Sequence, residues 1–136
     1  MRRVVFTNGV FDVLHIGHLK LLEFCKRQGD YLVVAIDSDN RVKQTKGQNR
    51  PVYGEQERKS ILEAIRHVDE VIVFDSMDDL RNLHRTIQPD VVVKGSDWSE
   101  ERLRQTDGIC ENSKVVLYER IQEYSTTNTI EKIKCL

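Results

Sequence analysis

No stretch of this sequence stays apolar for long. The longest apolar run, Tyr31 to Ile36, has six residues, against the roughly 20 that a membrane-crossing helix needs. Met1-Arg2-Arg3 leads into a short strand rather than into the apolar centre of a secretory signal, so the reading is a soluble, cytoplasmic protein with no membrane insertion. Cysteine is scarce as well. Cys25, Cys110 and Cys135 are odd in number and far apart, which fits neither a disulfide framework nor a paired-thiol metal site. An excess of charge of one sign is also missing. With 21 Lys+Arg interleaved with 22 Asp+Glu, the formal net charge is -1. No basic field exists to attract nucleic acid or an anionic membrane, so any bound anion must be captured locally. The sequence holds no internal repeat, low-complexity tract or interdomain linker. Its 136 residues read as one domain, 1–136, long enough to bury roughly two thirds of the surface of its unfolded chain.

What is present alternates between two periods. Arg3 to Thr7, Tyr31 to Ile36, Glu70 to Phe74, Asp90 to Val93 and Lys114 to Tyr118 are short Val/Ile-rich runs, too continuous in hydrophobicity for a sheet with one wet face. Between them lie helical spacings: Leu19, Leu22, Phe24 and Cys25; Ile61, Leu62, Ile65 and Val68; Leu80, Leu83 and Ile87; Ile130 and Ile133. Gly29-Asp30 closes the first helix, Pro89 follows the third, and Ser125 is placed to cap the last. Alternation of strand and helix predicts an α/β fold, a Rossmann-like, doubly wound, five-stranded parallel sheet. Two polar segments, Asp37 to Gly54 and Ser96 to Asn112, are expected to hold no regular element.

In such sheets the ligand crevice lies beyond the carboxyl ends of the strands. The residues after the strands are Asn8 through His18, the Lys/Arg loop with Lys43, Lys46 and Arg50, Lys94 through Trp98, and Arg120 through Thr127. In His15-Ile16-Gly17-His18 two imidazoles stand three residues apart where the first helix begins, and Gly17 lets an anion approach the backbone. Helix N-terminal N–H groups and two imidazole donors make a phosphate site, above all for a phosphate gaining charge in a transition state. Zinc fits less well, because no further ligands stand at suitable spacing. No Ser-His-Asp or Cys-His nucleophile arrangement is legible.

Gly9-Val10-Phe11-Asp12 with His15-Ile16-Gly17-His18 resembles the G-x-F-D-x-x-H-x-G-H signature of the cytidylyltransferase-like nucleotidyltransferases. Ser125-Thr126-Thr127-x-x-Ile130 resembles that family's I-S-T-T-x-I, with Tyr124 where Ile is usual. The resemblance implies attack by a substrate phosphate on the α-phosphorus of a nucleoside triphosphate, with release of pyrophosphate and with magnesium accompanying the triphosphate. It assigns His15, His18, Lys46 and Arg120 to the reacting phosphates. Thr7, Asn8, Gly9, Phe11, Gly17, Arg66, Lys94, Gly95, Asp97, Ser125, Thr126 and Thr127 would join His18 and Arg120 around the nucleotide. Asp12, Lys43, Lys46, Arg58 and Trp98 would face the acceptor. No metal site is legible on its own, Asp12 standing as an open choice between ligand and turn residue. His67 and His84 are read as structural or surface residues.

The choice of nucleotide divides the motifs. Arg66-His67-Val68-Asp69-Glu70-Val71 resembles R-Y-V-D-E-V of the cytidylyltransferases, and Arg120 falls where glycerol-phosphate cytidylyltransferases carry the Arg of R-T-x-G-I-S-T-T, although Ile121, Gln122 and Glu123 depart from that pattern. Thr7-Asn8-Gly9-Val10-Phe11-Asp12, Lys46-Gly47-x-x-Arg50-Pro51-Val52 and Val93-Lys94-Gly95-x-Asp97 are instead similar to heptose-1-phosphate adenylyltransferases. The two arginines favour CTP and glycerol 3-phosphate, giving CDP-glycerol for cell-surface polysaccharide. ATP with a heptose 1-phosphate is the alternative, and a noncatalytic nucleotide-binding module a remoter one. The partners expected are a nucleoside triphosphate, a phosphorylated polyol or sugar, and a second copy of the chain in a homodimer.

Overall fold

The computed structural model describes residues 2–121 and 124–136. In chain order it runs β1 (Val4–Gly9), α1 (Ile16–Arg27), β2 (Tyr31–Asp37), α2 (Asp39–Lys46), α3 (Glu55–Glu63), β3 (Glu70–Phe74), α4 (Met77–Ile87), β4 (Val91–Gly95), α5 (Glu100–Asp107), β5 (Lys114–Tyr118) and α6 (Thr126–Lys134). The strands form one parallel sheet in the order β3-β2-β1-β4-β5. This is the doubly wound, Rossmann-like α/β architecture that the alternating periods predict.

Both faces of the sheet are dry at its centre, which explains the continuous hydrophobicity of the strands. Val5, Leu32, Val34, Ile36, Val91 and Val93 pack on one face with Leu22 and Cys25 of α1 and Leu62 of α3. Their immediate neighbours Phe6, Val33, Ala35 and Val92 pack on the other with Leu80 of α4 and Leu103 of α5. Strand order reverses around β1, which pairs with β2 on one side and β4 on the other. The crossovers therefore leave from β1 in opposite directions, and a crevice opens beyond the ends of β1 and β4.

Two helices occupy the segments expected to be irregular. Ser38 caps α2 by accepting from Arg41 N–H, Asp39 lies in its first turn, Lys43 and Lys46 in its last, and Gly47 at φ 100° ends it. Ser99 caps α5 in the same way, with Glu100 and Glu101 at its start and Gly108 at φ 71° beyond its end. Caps and charges that complement the helix dipole do here what an apolar stripe does elsewhere. Only Val42 is buried from α2, and only Leu103 and Asp107 from α5, so neither segment carries a visible hydrophobic period.

Other boundaries move less. β1 runs on to Gly9, and β4 begins at Val91 and ends at Gly95, so Asn8, Gly9, Lys94 and Gly95 belong to the strand ends themselves. Asp90, expected in β4, instead accepts from Val4 N–H at 2.8 Å. Ile65 and Val68 pack on the core but follow α3 rather than belong to it. The chain leaves that helix through turns, Ile65 N–H donating to Leu62 O and Val68 N–H to Ile65 O, each at 3.0 Å.

Candidate active site

The crevice between β1 and β4 is a cleft of about 370 Å³. Its floor is the β1–α1 corner, where the chain turns through a strained path: Phe11 has φ 54° and Val13 φ 48°. A left-handed conformation at a β-branched residue costs of order 1–3 kcal/mol and persists only where its surroundings enforce it. Three clamps do so. Arg58, buried to 1% exposure, donates to Val10 O at 2.9 Å, to Asp37 O at 2.8 Å and to Tyr53 O at 2.9 Å, and pairs with Asp39 at 2.9 Å. Asp12, also at 1%, accepts from Val52 N–H at 2.6 Å and from Tyr53 N–H at 2.9 Å. Thr126 Oγ1 donates to Asp12 O at 2.5 Å, which draws the start of α6 over the corner.

At the end of this turn the two imidazoles cap α1. His15 Nδ1 accepts from Gly17 N–H at 3.1 Å, and His18 Nδ1 accepts from His15 N–H at 3.2 Å. The arrangement is a reciprocal capping box built from two histidines. A ring whose Nδ1 accepts can carry its proton only on Nε2 when neutral, so the cap fixes the tautomer of both rings and makes each Nε2 a donor. Burial lowers the pKa of His15. Burial, and then the neighbouring His15, push that of His18 down to about 4. The ring centroids lie 3.9 Å apart, and both rings line the cleft. They offer a pair of neutral N–H donors to an oxyanion without the repulsion two imidazolium ions would suffer. A Cβ on Gly17 would come within 2.8 Å of His15 Cε1 and 2.9 Å of its Nδ1. The glycine of this motif therefore makes room for the histidine ring, in a space the sequence pattern reserves for an anion.

The walls carry cations. Lys46 and Arg50 line one side, and Arg120 with the start of α6 lines another. Arg50 Nε is buried without a hydrogen-bond partner among the described residues, and the Asp12 carboxylate oxygen beside it is 3.9 Å away. Arg120 pairs with Asp97 at 2.8 Å, both largely exposed. Ser125 caps α6, accepting from Asn128 N–H at 2.9 Å, as its position in the sequence predicts.

A family profile described as cytidylyltransferase-like matches residues 6–134 of this chain. The chain belongs to the cytidylyltransferase-like family. Among curated relatives it is 44% identical over 133 residues to the bifunctional protein HldE of Campylobacter fetus subsp. fetus and 46% identical over 134 residues to that of Geotalea uraniireducens. Each alignment covers 98% of this chain but only 28% and 27% of the relative, so the chain spans little more than a quarter of those proteins. Among solved structures it is similar to a lipopolysaccharide core biosynthesis protein from Thermoplasma volcanium, with a TM-score of 0.76 and 28% identity over 92% of this chain and 100% of the other. A pantothenate synthetase from Thermus thermophilus, 16% identical with a TM-score of 0.61 over 96% of this chain and 64% of its own, shares the fold.

Within the cytidylyltransferase-like fold, most residues singled out by sequence meet at this cleft: Thr7, Asn8, Gly9, Phe11, Asp12, His15, Gly17, His18, Lys46, Lys94, Gly95, Asp97, Trp98, Arg120, Ser125, Thr126 and Thr127 all line it. Several do so in other roles than expected. Thr7 is buried and its hydroxyl donates to Val93 O at 2.9 Å, tying β1 to β4. The side-chain oxygens of Asp12 and the hydroxyl of Thr126 are occupied in the clamps. Trp98, 48% exposed, has Arg102 4.8 Å from its ring centroid.

Three expected residues are not brought to the cleft. Arg58 stands behind the corner with its donors on backbone oxygens and Asp39, so an acceptor contact is excluded for a steric and a valence reason alike. Lys43 lies on an exposed position of α2. Arg66 faces a separate surface hollow with Glu23, Lys26, Arg27 and His67. His67 lies in that hollow as well, and His84 is fully buried. Gln122 and Glu123, part of the departure around Arg120, lie outside the described residues. Arg50 and Tyr124 are lining residues to which the sequence pattern assigns no role, although Arg50 stands in the Lys46-Gly47-x-x-Arg50 stretch. No group of three or more His, Cys, Asp or Glu side chains suited to a metal occurs among the described residues. The Asp12 carboxylate is taken up by backbone N–H groups of Val52 and Tyr53.

Proposed function

We propose that this chain is a nucleotidyltransferase that joins ATP to a heptose 1-phosphate. The acceptor's phosphate oxygen attacks the α-phosphorus, a new P–O bond forms, the α–β bridging bond breaks, and pyrophosphate leaves with its electron pair. The nucleophile is already an anion, so no protein base is required and catalysis is positioning and charge stabilisation. The Nε2–H groups of His15 and His18 face the phosphorane-like charge, while Lys46, Arg50 and the start of α6 hold the flanking phosphates.

The observation that carries the choice of substrates is a contact. Asn8 and Lys94, the residues whose motifs are similar to heptose-1-phosphate adenylyltransferases, meet at 2.8 Å at the cleft. Arg66, one of the two arginines that favour CTP, faces another surface. The HldE relatives and the lipopolysaccharide core biosynthesis neighbour support the same reading, which displaces CTP with glycerol 3-phosphate as first choice. The capped histidine pair argues against a noncatalytic module, since simple nucleotide binding does not need a tautomer fixed on two rings.

Pyrophosphate release with ATP or CTP, each against heptose 1-phosphate and glycerol 3-phosphate, tests the proposal. The expected result is turnover with ATP and heptose 1-phosphate at least about tenfold above the other pairs. Faster release from CTP with glycerol 3-phosphate reinstates the cytidylyltransferase expectation.

A further inference from the structure

We propose that Asp107 is a positioning residue for this reaction, holding Lys94 so that Asn8 turns its amide N–H groups toward the substrate. The proposal rests on the transferase reading and adds to it a residue outside the cleft. Asp107 is the last residue of α5 and is 5% exposed. Its Oδ2 lies 2.9 Å from Lys94 Nζ, with the side chains 7% and 13% exposed. The approach is ionic, at angles that make no hydrogen bond, and Oδ2 has no hydrogen-bond partner among the described residues. Lys94 Nζ in turn donates to Asn8 Oδ1 at 2.8 Å. Asn8 and Lys94 line the cleft, whereas Asp107 does not.

Chemistry gives this chain of three a direction. An ammonium has donors only, so the Asn8 oxygen must face Lys94, and what Asn8 retains for a ligand is its NH₂. Lys94 stands beside a site for polyphosphate, where an unopposed ammonium would swing to the nearest phosphate oxygen. The buried Asp107 carboxylate holds it back and cancels its charge. Removing that carboxylate leaves the cation with only the more distant charge of Asp37 in a poorly solvated place, and the cation has a substrate anion within reach.

The expected signature therefore splits binding from turnover. Asp107→Asn keeps the shape and removes the charge. It should bind ATP severalfold more tightly by calorimetry, because the cleft gains net positive charge. Its kcat for pyrophosphate release should fall about tenfold or more, because Asn8 loses its orientation. Asp107→Glu should restore part of kcat, and Asp107→Asn/Lys94→Met should turn over no more slowly than Lys94→Met alone. Leu103→Ala, which loosens α5 by packing only, should lower the melting temperature and leave ATP affinity and kcat near wild type.

ATP affinity that is unchanged or weaker in Asp107→Asn overturns the proposal, as does a kcat that falls only in step with melting temperature. A wild-type chain that binds ATP yet releases no pyrophosphate with any sugar phosphate brings down the transferase reading, and the binding arm still decides for or against the role of Asp107.

Discussion

The two rims of the cleft are built in opposite ways. The β1–α1 rim is closed upon itself: Arg58 and Asp12 are each 1% exposed, and two histidines cap their own helix. The β4–β5 rim is open. Asp97 and Arg120 pair at 2.8 Å with side chains 62% and 69% exposed, and Trp98 stands half in solvent. An interaction held by many partners survives substrate binding unchanged, while an exposed ion pair contributes little and can be exchanged for a ligand. The contrast divides the labour. On the proposed function, the groups that would meet the reacting phosphate are fixed before substrate arrives, and groups on the open rim can adjust to what arrives. Each variant below probes one side of that division.

The largest effect is expected from Arg58→Met. It deletes the contacts to Val10, Asp37, Tyr53 and Asp39 at once, stranding the Asp39 carboxylate and the backbone oxygens of the other three. The left-handed Phe11 and Val13 lose a clamp with them. The Asp39 side chain keeps 35% exposure, so most of the cost lies in the three backbone oxygens left without their donor, about 1–3 kcal/mol each, to be read by urea denaturation of the variant against wild type. A loss below about 1 kcal/mol would mean that the corner is held by Asp12 and Thr126 alone.

His15→Ala and His18→Ala come next. Each should lower kcat by roughly 10²-fold or more, as loss of one oxyanion donor does elsewhere, with stability falling by only the ~1 kcal/mol of a helix cap. Single-turnover rates at saturating ATP separate this from weakened binding, and near-normal rates in either variant would break the assignment. The same rings set a pH dependence. His18 and the fully buried His84 have their pKa values lowered from 6.5 to about 4 by burial, His18 further by His15. A folded-state value below the unfolded one means that the unfolded chain takes up more protons once pH falls below about 6.5. Stability should be complete above that pH and drain away from there down to about pH 4. Melting temperatures across that window check the slope, to which His15 adds in the same direction, and His84→Phe should shallow it by removing one of the three groups.

How these parts are legible follows from the same division. The motif Gly9-x-Phe11-Asp12-x-x-His15-x-Gly17-His18 can be read because a tight corner needs its residues in one order along the chain. Arg58 reads wrongly as an acceptor contact because its partners, Val10, Asp37 and Asp39, lie up to 48 positions away, and a charged residue near a helix start looks solvated until the fold surrounds it. Helices α2 and α5 escape the pattern because they are made by caps and charge order, with so little of either buried. Arg66 shows the opposite failure: it stands in a family-like hexapeptide, but the fold turns that position toward the hollow shared with Glu23 and Lys26. Asp107 carries no sequence signal at all, since its partner Lys94 sits on another element.

Arg50 tests the middle ground, being half-buried on the rigid side yet with an Nε–H that finds no acceptor among the described residues. A guanidinium left in that state, in a cleft shared with two imidazoles, is poised for a phosphate fork. Arg50→Ala should reduce kcat/KM about tenfold, about 1.4 kcal/mol of transition-state binding, and change the melting temperature little. Titrating ATP and acceptor separately shows which of the two phosphates it meets. Equal kinetics in the variant would assign Arg50 to the Asp12 clamp instead.

The smallest effect belongs to the open rim. Arg120→Ala and Asp97→Ala each remove one half of an exposed pair, so each should alter stability by less than about 1 kcal/mol. Their influence should fall on substrate preference. If Arg120 leaves Asp97 for a substrate phosphate, Asp97→Ala releases it in advance and lowers KM for one substrate, whereas Arg120→Ala raises the same KM. Opposite signs in the two variants, at unchanged melting temperature, are what an exchangeable pair predicts. Matching losses in both would mean that the pair itself shapes the rim, and that the open side is held by its own contacts as firmly as the closed one.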